Sequence, residues 1–359
     1  MVLPTENEGL SSKFIHDSHR PLIPNLPDDL ALLCLSKVPR TFHNILKAVC
    51  RRWRHCLKLQ SFYSLRNASG LTEGWLYVLW RDRMEHLHWN VLDPVKRRWM
   101  QLPPMPRKFS WRYGLSCEVL AGKLFVMGGC GKFRDPSNEV ICYDPIANSW
   151  KEVTPMCTAR CYFVTAVLNK MLYAIGGMGF GPGALMSWEV YDLEKDQWSY
   201  FDDPNIVADL GESLSCDGNI YVRHVSHGVI PDSYAAVYKS RTNTWVSLDT
   251  DMTKVWTGPA ISVGSNVYML DLTYGIKLMV LDKEAMSWNT SGRLSPHAIC
   301  PPCRIASIET NLYIVGKGLK ALVLNLEKIG TESGLLVTST INGSRSSDDM
   351  VVSSNVLAL

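Results

Sequence analysis

A short apolar segment with a central aromatic residue recurs six times along this chain at nearly constant spacing. Successive aromatic residues lie 48, 48, 48, 47 and 45 residues apart. They are Tyr77, Phe125, Tyr173, Tyr221, Tyr268 and Tyr313. Such a period is typical of repeat architectures, in which one unit cannot bury its apolar face alone. We therefore expect about six similar units that pack against their neighbours.

A second marker keeps the same register. Each unit has another apolar segment that usually ends in Asp, and in the first five units a Trp follows six residues after that end. These residues are Trp99, Trp150, Trp198, Trp245 and Trp288. Turn-forming pairs such as Asp93-Pro94 and Thr242-Asn243 separate the two apolar runs. Each Asp-to-Trp segment therefore predicts a β-hairpin.

Four strands account for each unit: a lead-in strand, the aromatic strand, the strand ending in Asp and the Trp strand. One such sheet cannot cover both its faces, and radial stacking of six sheets predicts an all-β propeller. The sixth unit lacks its Trp, so rings of five or seven blades also fit the pattern. The first unit lacks a lead-in strand, and we expect the apolar run at 350–357 to supply it. A disordered tail is the alternative.

The segment before the repeats predicts short helices. Pro27 stands at a helix start, acidic residues follow it in the first turn, and Val38-Pro39 ends the helix. A second helix is predicted to carry one apolar stripe, formed by Leu46, Val49, Cys50, Trp53 and Leu57. So small a module can barely bury a core alone, so we expect it to lay apolar residues into a partner's groove.

These segments resemble two known families. Residues 26–29, Val38-Pro39 and residues 49–53 resemble the F-box in order and spacing. Residues 122–150 and 171–198 resemble kelch repeats, with the kelch double glycine at 128–129 and 176–177. The double glycine is absent from the other four units. The two together resemble plant-type F-box/kelch-repeat proteins.

The resemblance implies a small all-α F-box module followed by an all-β six-bladed kelch-type propeller. The expected domains are a flexible N-terminal segment at 1–20, the F-box at 21–66, the propeller of about six blades at 74–340, and a linker with the ring-closing strand at 341–359.

The resemblance also implies a function. A protein of this family would be the substrate-recognition subunit of a Skp–cullin–F-box ubiquitin ligase, without catalytic activity or cofactor. Its F-box would dock on the Skp-type adaptor, and through it on a cullin ligase, while the propeller binds a target protein for ubiquitylation. The implied docking residues are Leu26, Pro27, Leu30, Val38, Pro39, Leu46, Val49, Cys50 and Trp53.

Charge adds one argument to the docking hypothesis. Between Leu30 and Arg66 the chain has eight Lys or Arg residues and no Asp or Glu. This excess favours electrostatic steering toward an acidic adaptor, although a solvated basic face is an equal alternative. Nucleic acid is a weaker alternative, since the net charge of the chain is only +3.

The target is expected on one face of the propeller. Loops between blades share a face with loops that join the second and third strands, and these segments are the longest and least repetitive. Aromatic and Arg side chains in such loops are typical binding anchors. The candidates are Trp111, Arg112, Phe133, Arg134, Phe180 and Trp256.

Other classes of protein fit the sequence poorly. No segment has the roughly 18 consecutive apolar residues of a membrane helix, and no secretory signal is evident. Eleven irregularly spaced cysteines then predict reduced thiols and a cytoplasmic or nuclear location. Cys300 and Cys303 lack a second ligand pair for zinc, and His86 and His88 lack a third ligand. The remaining alternative is a kelch propeller enzyme or a small-ligand or sugar-binding protein, which would need acid–base or metal-binding residues near the axis.

Overall fold

The structure is a computed structural model that describes residues 21–179, 186–203, 206, 210–224, 235–295, 297–329, 334–343 and 345–359. The chain divides into two compact units. One comprises Met1–Gly74 with Ala358–Leu359, and the other comprises Trp75–Leu357.

The first unit is helical. Its described residues form four α-helices, which are α1 (Asp28–Ser36), α2 (His43–Val49), α3 (Arg51–Cys56) and α4 (Gln60–Ala68). The predicted single second helix is wrong, because Cys50 is extended (φ −155°, ψ 168°) and separates α2 from α3. The Sγ atom of Cys50 accepts a hydrogen bond from the backbone N–H of Trp53 at 3.4 Å and so caps α3. The expected apolar stripe is therefore split between two helices.

A buried arginine holds the helical unit together. The guanidinium of Arg66 donates to the carbonyl oxygens of Ser36, Val38 and Leu71 and to the carboxylate of Glu73, which is 2.8 Å away. Only 1% of Arg66 is exposed. The three carbonyl acceptors lie at or just beyond the C-terminal ends of α1 and α4, where backbone carbonyls lack helical partners. Arg66 thus replaces part of the apolar core that so short a module cannot build.

The second unit is a propeller. The described part of the chain contains six four-stranded antiparallel sheets. The strands are β1 (Gly74–Arg81), β2 (Leu87–Asp93), β3 (Arg98–Gln101), β4 (Tyr113–Leu120), β5 (Lys123–Cys130), β6 (Val140–Asp144), β7 (Ser149–Val153), β8 (Val164–Leu168), β9 (Met171–Ile175), β10 (Ser187–Asp192), β11 (Gln197–Asp202), β12 (Leu210–Cys216), β13 (Asn219–His224), β14 (Ala235–Lys239), β15 (Thr244–Ser247), β16 (Ala260–Val263), β17 (Asn266–Asp271), β18 (Ile276–Asp282), β19 (Ser287–Leu294), β20 (Arg304–Ile308), β21 (Asn311–Val315), β22 (Ala321–Asn325), β23 (Ser339–Ile341) and β24 (Met350–Ala358). A short helix, α5 (Asp251–Val255), precedes β16. The predicted fold of helices followed by a six-bladed propeller is confirmed.

The repeated Asp caps a turn. Asp144 Oδ1 accepts hydrogen bonds from the backbone N–H groups of Ile146 and Ala147 at 2.8 and 3.1 Å. The same pair of bonds recurs at Asp93, Asp192 and Asp282. Because an Asp side chain can satisfy two amides of a tight turn, it fixes the hairpin between the third and fourth strands.

The repeated Trp joins neighbouring blades. In three blades the indole N–H donates to a backbone carbonyl in the chain that leaves the preceding blade. These bonds run from Trp150 to Pro103, from Trp198 to Thr154 and from Trp288 to Met252, at 2.9, 3.0 and 2.9 Å. A buried indole needs an acceptor, and the blade before it supplies one. The constant offset between Asp and Trp therefore reflects one hairpin that contacts the previous unit.

The double glycine permits a close approach between blades. Gly128 has φ +60°, and a Cβ atom there would lie 2.5 Å from the carbonyl oxygen of Arg160. The backbone N–H of Gly129 donates to that same carbonyl at 2.9 Å. Only glycine accommodates both the positive φ and the contact.

The C-terminal strand closes the ring. Strand β24 pairs with β1, which gives the first blade the order β24-β1-β2-β3. The predicted ring-closing strand at 350–357 is thus present. Val351 and Leu357 are buried. Ser354 Oγ donates to the carbonyl of Ile305 at 3.0 Å, and Asn355 Nδ2 donates to that of Cys117 at 3.3 Å. The strand therefore contacts the blades on both sides.

Candidate interaction surfaces

The helical unit exposes apolar side chains on two helices. Leu30 and Leu33 stand three residues apart on α1, and Ile45 and Val49 stand four apart on α2, so each pair shares one helix face. Phe42 and Leu59 are exposed as well. Contiguous exposed apolar side chains are typical of surfaces that bind another protein.

The expected docking residues fall into two groups. The exposed group comprises Pro27, Leu30, Pro39, Val49 and Cys50, and the half-buried group comprises Leu26, Val38, Leu46 and Trp53. Trp53 also has a role inside the unit, because its indole N–H donates to the carbonyl of Leu22 at 2.8 Å. Sequence reasoning missed Leu33, Phe42, Ile45 and Leu59. The three- and four-residue spacing from Leu30 and Val49 was the signal that could have found two of them.

The basic residues of this unit are only partly available. Arg66 is buried against Glu73, and Arg52 forms an ion pair with Asp28 at 2.8 Å. Four others remain exposed: Lys37, Arg51, Arg54 and Lys58. Positive charge therefore accompanies the exposed apolar faces, as electrostatic steering requires.

The propeller contains a fully buried ion pair between its second and third blades. Arg160 and Glu189 are both 0% exposed, and Arg160 Nη2 lies 3.0 Å from Glu189 Oε1. Arg160 also donates to the carbonyl of Gly176 at 2.7 Å and to Ser187 Oγ at 2.8 Å. The backbone N–H of Thr158 donates to Glu189 at 2.9 Å. Both charges are therefore fully hydrogen-bonded, which is the condition under which a buried pair is tolerated.

Arg112 has the equivalent role in the preceding blade. Its guanidinium donates to the carbonyl of Gly128 at 2.9 Å and to Glu139, and it lies 4.0 Å from the centroid of the Phe109 ring. Burial alone would raise the pKa of Glu139, but hydrogen bonds from Lys108 and Arg112 outweigh it and lower that pKa to about 2. Arg112 is buried. Its guanidinium is therefore held by the scaffold rather than free in a loop, but Arg112 also lines the cavity beside Trp111, so its role as a target contact stays a prediction.

Trp256 is also buried. It packs in a cluster with Met252, Val267 and Met269, and its indole N–H donates to the carbonyl of Gly258 at 3.0 Å. Because only 2% of Trp256 is exposed, its assignment to the target-binding surface is wrong. Phe180 lies outside the described residues.

Three of the expected target contacts lie at the surface. Trp111 is 46% exposed and Phe133 is 92% exposed. Arg134, beside Phe133, is exposed too. Trp111 lines a cavity of about 540 Å³ whose other walls include Lys108, Gly131, Asp135 and Glu139. Gly131 and Asp135, which stand on either side of Phe133 and Arg134 in the loop between β5 and β6, line this cavity, whereas Phe133 and Arg134 are not among its lining residues.

The residues first considered for metal or redox chemistry have structural partners. Burial raises the pKa of Cys303 to about 12, which disfavours a reactive thiolate. His88 Nε2 lies 2.8 Å from Asp82 Oδ2, and His86 Nδ1 lies 3.6 Å from the same oxygen. Among the residues that the structure describes, no group of three or more His, Cys, Asp or Glu side chains is arranged to hold a metal ion. No helix in the described ranges is both long and apolar enough to cross a membrane.

Comparison with known proteins matches both units. The F-box domain model matches residues 23–65, and the kelch motif model matches residues 112–156 and 159–205. F-box/kelch-repeat protein SKIP4 of Arabidopsis thaliana is 35% identical and aligns over 94% of this chain and 94% of its own length. F-box protein AFR of Arabidopsis thaliana is 25% identical over 84% of this chain and 82% of its own. The solved structure of YjhT covers 74% of this chain and 97% of its own, with a TM-score of 0.51 and 16% identity, a likeness of fold alone.

Proposed function

Because this chain belongs to the F-box/kelch-repeat family, we propose that it is the substrate-recognition subunit of a Skp–cullin–F-box ubiquitin ligase. An F-box joined to a kelch propeller supports a substrate-adaptor role in general. The observation that carries the finer proposal is the pair of exposed apolar faces on α1 and α2. Leu30, Leu33, Ile45 and Val49 are the side chains that would enter the groove of a Skp-type adaptor.

In this proposal the chain performs no chemical step. The F-box holds it on the ligase, the propeller holds the target, and the target's effective concentration near the ubiquitin-conjugating enzyme rises. We also propose a cytoplasmic or nuclear site of action, which agrees with the free thiols of all eleven cysteines.

The proposed target-binding surface combines exposed side chains with a backbone that ion pairs hold in place. The pair of buried Arg112 with partly exposed Glu139, and the fully buried Arg160–Glu189 pair, fix the chain between blades. Trp111, Phe133 and Arg134 are exposed at the surface. Large aromatic and Arg side chains are enriched among the residues that dominate interface energies. We propose that they contact the target.

Adaptor docking is tested by trimming one exposed side chain on each helix. Leu30→Ala with Val49→Ala removes apolar area that would be buried against the adaptor, which is worth about 1–2 kcal/mol per residue. The two losses sum to a fall in affinity for a purified Skp-type adaptor of about 30- to 1,000-fold, measured by isothermal titration calorimetry.

The matched control for docking is Leu335→Ala with Val337→Ala, the same chemistry at two exposed positions of the propeller. This variant should bind the adaptor like the wild type. If the Leu30/Val49 variant binds the adaptor as tightly as the wild type does, these side chains do not contact the adaptor.

Target capture is tested by changing Trp111, Phe133 and Arg134 together to Ala. Because each anchor contributes roughly 1–2 kcal/mol at an interface, proteins that copurify under proteasome inhibition should fall by at least about tenfold, measured by quantitative mass spectrometry. Tyr274→Ala, which removes an exposed aromatic residue from another blade, serves as the control. An unchanged set of captured proteins in the triple variant contradicts the proposed contact surface, whereas adaptor binding should persist in both variants.

A further inference from the structure

The propeller axis contains a channel of about 500 Å³. It is lined by the first strand of every blade, namely β4, β8, β12, β16, β20 and β24. Because the blades are equivalent, these inner strands all run in the same direction, and residues near their C-terminal ends lie toward one end of the channel. A volume of this size is within the range of small-molecule sites.

Several hydroxyl groups of the lining bind neighbouring strands. Ser116 Oγ and Thr165 Oγ1 are 2.7 Å apart, and Ser213 Oγ donates to the carbonyl of Thr165 at 2.7 Å. Ser354 Oγ donates to the carbonyl of Ile305 at 3.0 Å. These bonds tie inner strands to one another around the axis, so they build the wall of the channel.

The charged residues of the lining lie toward opposite ends. Arg304 begins β20, and its Nη1 atom is 4.0 Å from Glu212 Oε1 across the channel from β12. Glu118 lies two residues before the end of β4, toward the other end. Among the described residues that line the channel, Arg304 is the one cation, and Glu212 offsets it. Glu118 is therefore left as an uncompensated acidic group.

Among the residues that the structure describes, no cation pairs with Glu118. Its carboxylate accepts a hydrogen bond from the backbone N–H of Val119 at 3.0 Å. Strands β8 and β24, on either side of β4, carry no ionisable side chain. Lys123 on β5 lies 4.0 Å from Asp144, and Cys117 carries a neutral thiol whose pKa burial raises. Burial raises the pKa of Glu118 to about 7.

Serine residues surround the axis at the same end of the channel. Ser215, Ser262 and Ser307 each stand one residue before the end of their inner strands, and all three line the channel. A serine hydroxyl can accept hydrogen bonds as well as donate one. This end of the channel therefore combines one carboxylate with hydroxyl acceptors.

We propose that this end of the channel binds a small organic compound that carries a primary ammonium group, with Glu118 as its counter-ion. An ammonium group offers three donors, which match a carboxylate and neighbouring hydroxyl groups. An anionic ligand lacks a free cation in the described lining. A metal ion would need more carboxylate, His or Cys ligands than the described residues bring together.

The site predicts a dependence on pH. Ammonium binding requires the ionised form of Glu118, whose pKa of about 7 lies well above that of a solvated carboxyl. The ionised fraction rises about tenfold between pH 6 and pH 8. Affinity for an ammonium compound should rise by the same factor.

The test compares 4-amino-1-butanol with 1,4-butanediol, which has a hydroxyl group in place of the amine. Titration calorimetry on the full chain at pH 8 should show saturable binding of the amine and none of the diol. We expect binding about tenfold weaker at pH 6, and at least about tenfold weaker in Glu118→Gln at pH 8. Glu284→Gln, at an exposed turn, should bind like the wild type.

A second readout needs no ligand. Because the folded-state pKa of Glu118 is raised, ionisation destabilises the fold as pH rises through about 7. Glu118→Gln should therefore raise the melting temperature at pH 8 and leave it unchanged near pH 4. Absence of saturable amine binding, equal binding of the diol, or unchanged amine binding by a folded Glu118→Gln variant would each overturn the proposal.

Discussion

Replacing Arg160 by Met should lower the free energy of unfolding of the propeller by about 3–5 kcal/mol. The substitution leaves the fully buried carboxylate of Glu189 with the backbone N–H groups of Cys157 and Thr158 but without its counter-ion. An uncompensated charge in such a site costs far more than the contact itself contributes. Urea unfolding followed by tryptophan fluorescence measures the loss, because all tryptophans except Trp53 belong to the propeller.

Two further variants separate the buried charge from general damage. Lys195→Met breaks an exposed pair with Asp192 and should change stability by less than about 1 kcal/mol. Arg160→Met with Glu189→Met removes both charges and should recover much of the stability lost in the single variant. A single variant as stable as the wild type would mean that the pair does not hold the blades together.

Deleting residues 350–359 should lower the melting temperature of the propeller by more than about 10 °C. The deletion removes β24, including the buried Val351 and Leu357, and leaves one edge of β1 unpaired while β2 still pairs with its other edge. Two buried aliphatic side chains and a set of ladder hydrogen bonds together contribute at least about 5 kcal/mol. Differential scanning calorimetry measures the change.

A shorter deletion, of residues 358–359 alone, keeps Val351 and Leu357 in the chain and is the control for ring closure. It should change the melting of the propeller far less than the longer deletion. A synthetic peptide of residues 350–359 added to the truncated chain should restore some of the lost stability, because an extended peptide can complete an open sheet edge. If the longer deletion melts at the wild-type temperature, β24 does not hold the ring closed.

The propeller could be predicted from sequence because its signals are local and repeated. Asp144 caps a turn within three residues of itself, and Trp150 stands six residues after it. The same Asp-to-Trp offset recurs in the units of Asp93, Asp192 and Asp282. The missing lead-in strand of the first unit was equally visible. Closure of the ring requires a first strand for the first blade, and the apolar run at 350–357 had not been assigned to any other strand.

The errors arose where distant residues decide the outcome. Arg112 was expected to extend freely from a loop. Its guanidinium instead binds Glu139 and the carbonyl of Gly128, which are distant from it in the sequence. Trp256 was expected to be an exposed aromatic residue, but it packs in the buried cluster that includes Met252 of α5. The helix break at Cys50 depends on one side-chain cap that interrupts an otherwise continuous apolar period.

Glu118 shows a different limit. Alternation along β4 indicates two sides of a strand but not which residues border the axis, so the carboxyl near the channel could not be placed from sequence. The proposed docking surface could be predicted in part, since the family pattern includes Leu30 and Val49, but the exposure of Leu33 and Ile45 depends on how the helices pack.

The pairing of β24 with β1 also sets the order of events during translation. The first blade cannot be completed until the ribosome has synthesised the chain beyond the other five blades, so the nascent β1 waits with one edge unpaired. The helical unit, in contrast, lies almost entirely before residue 75 and emerges first. A chain interrupted by a premature stop codon would thus carry the F-box unit attached to an open, aggregation-prone sheet edge, which is the kind of defect that cellular quality control removes.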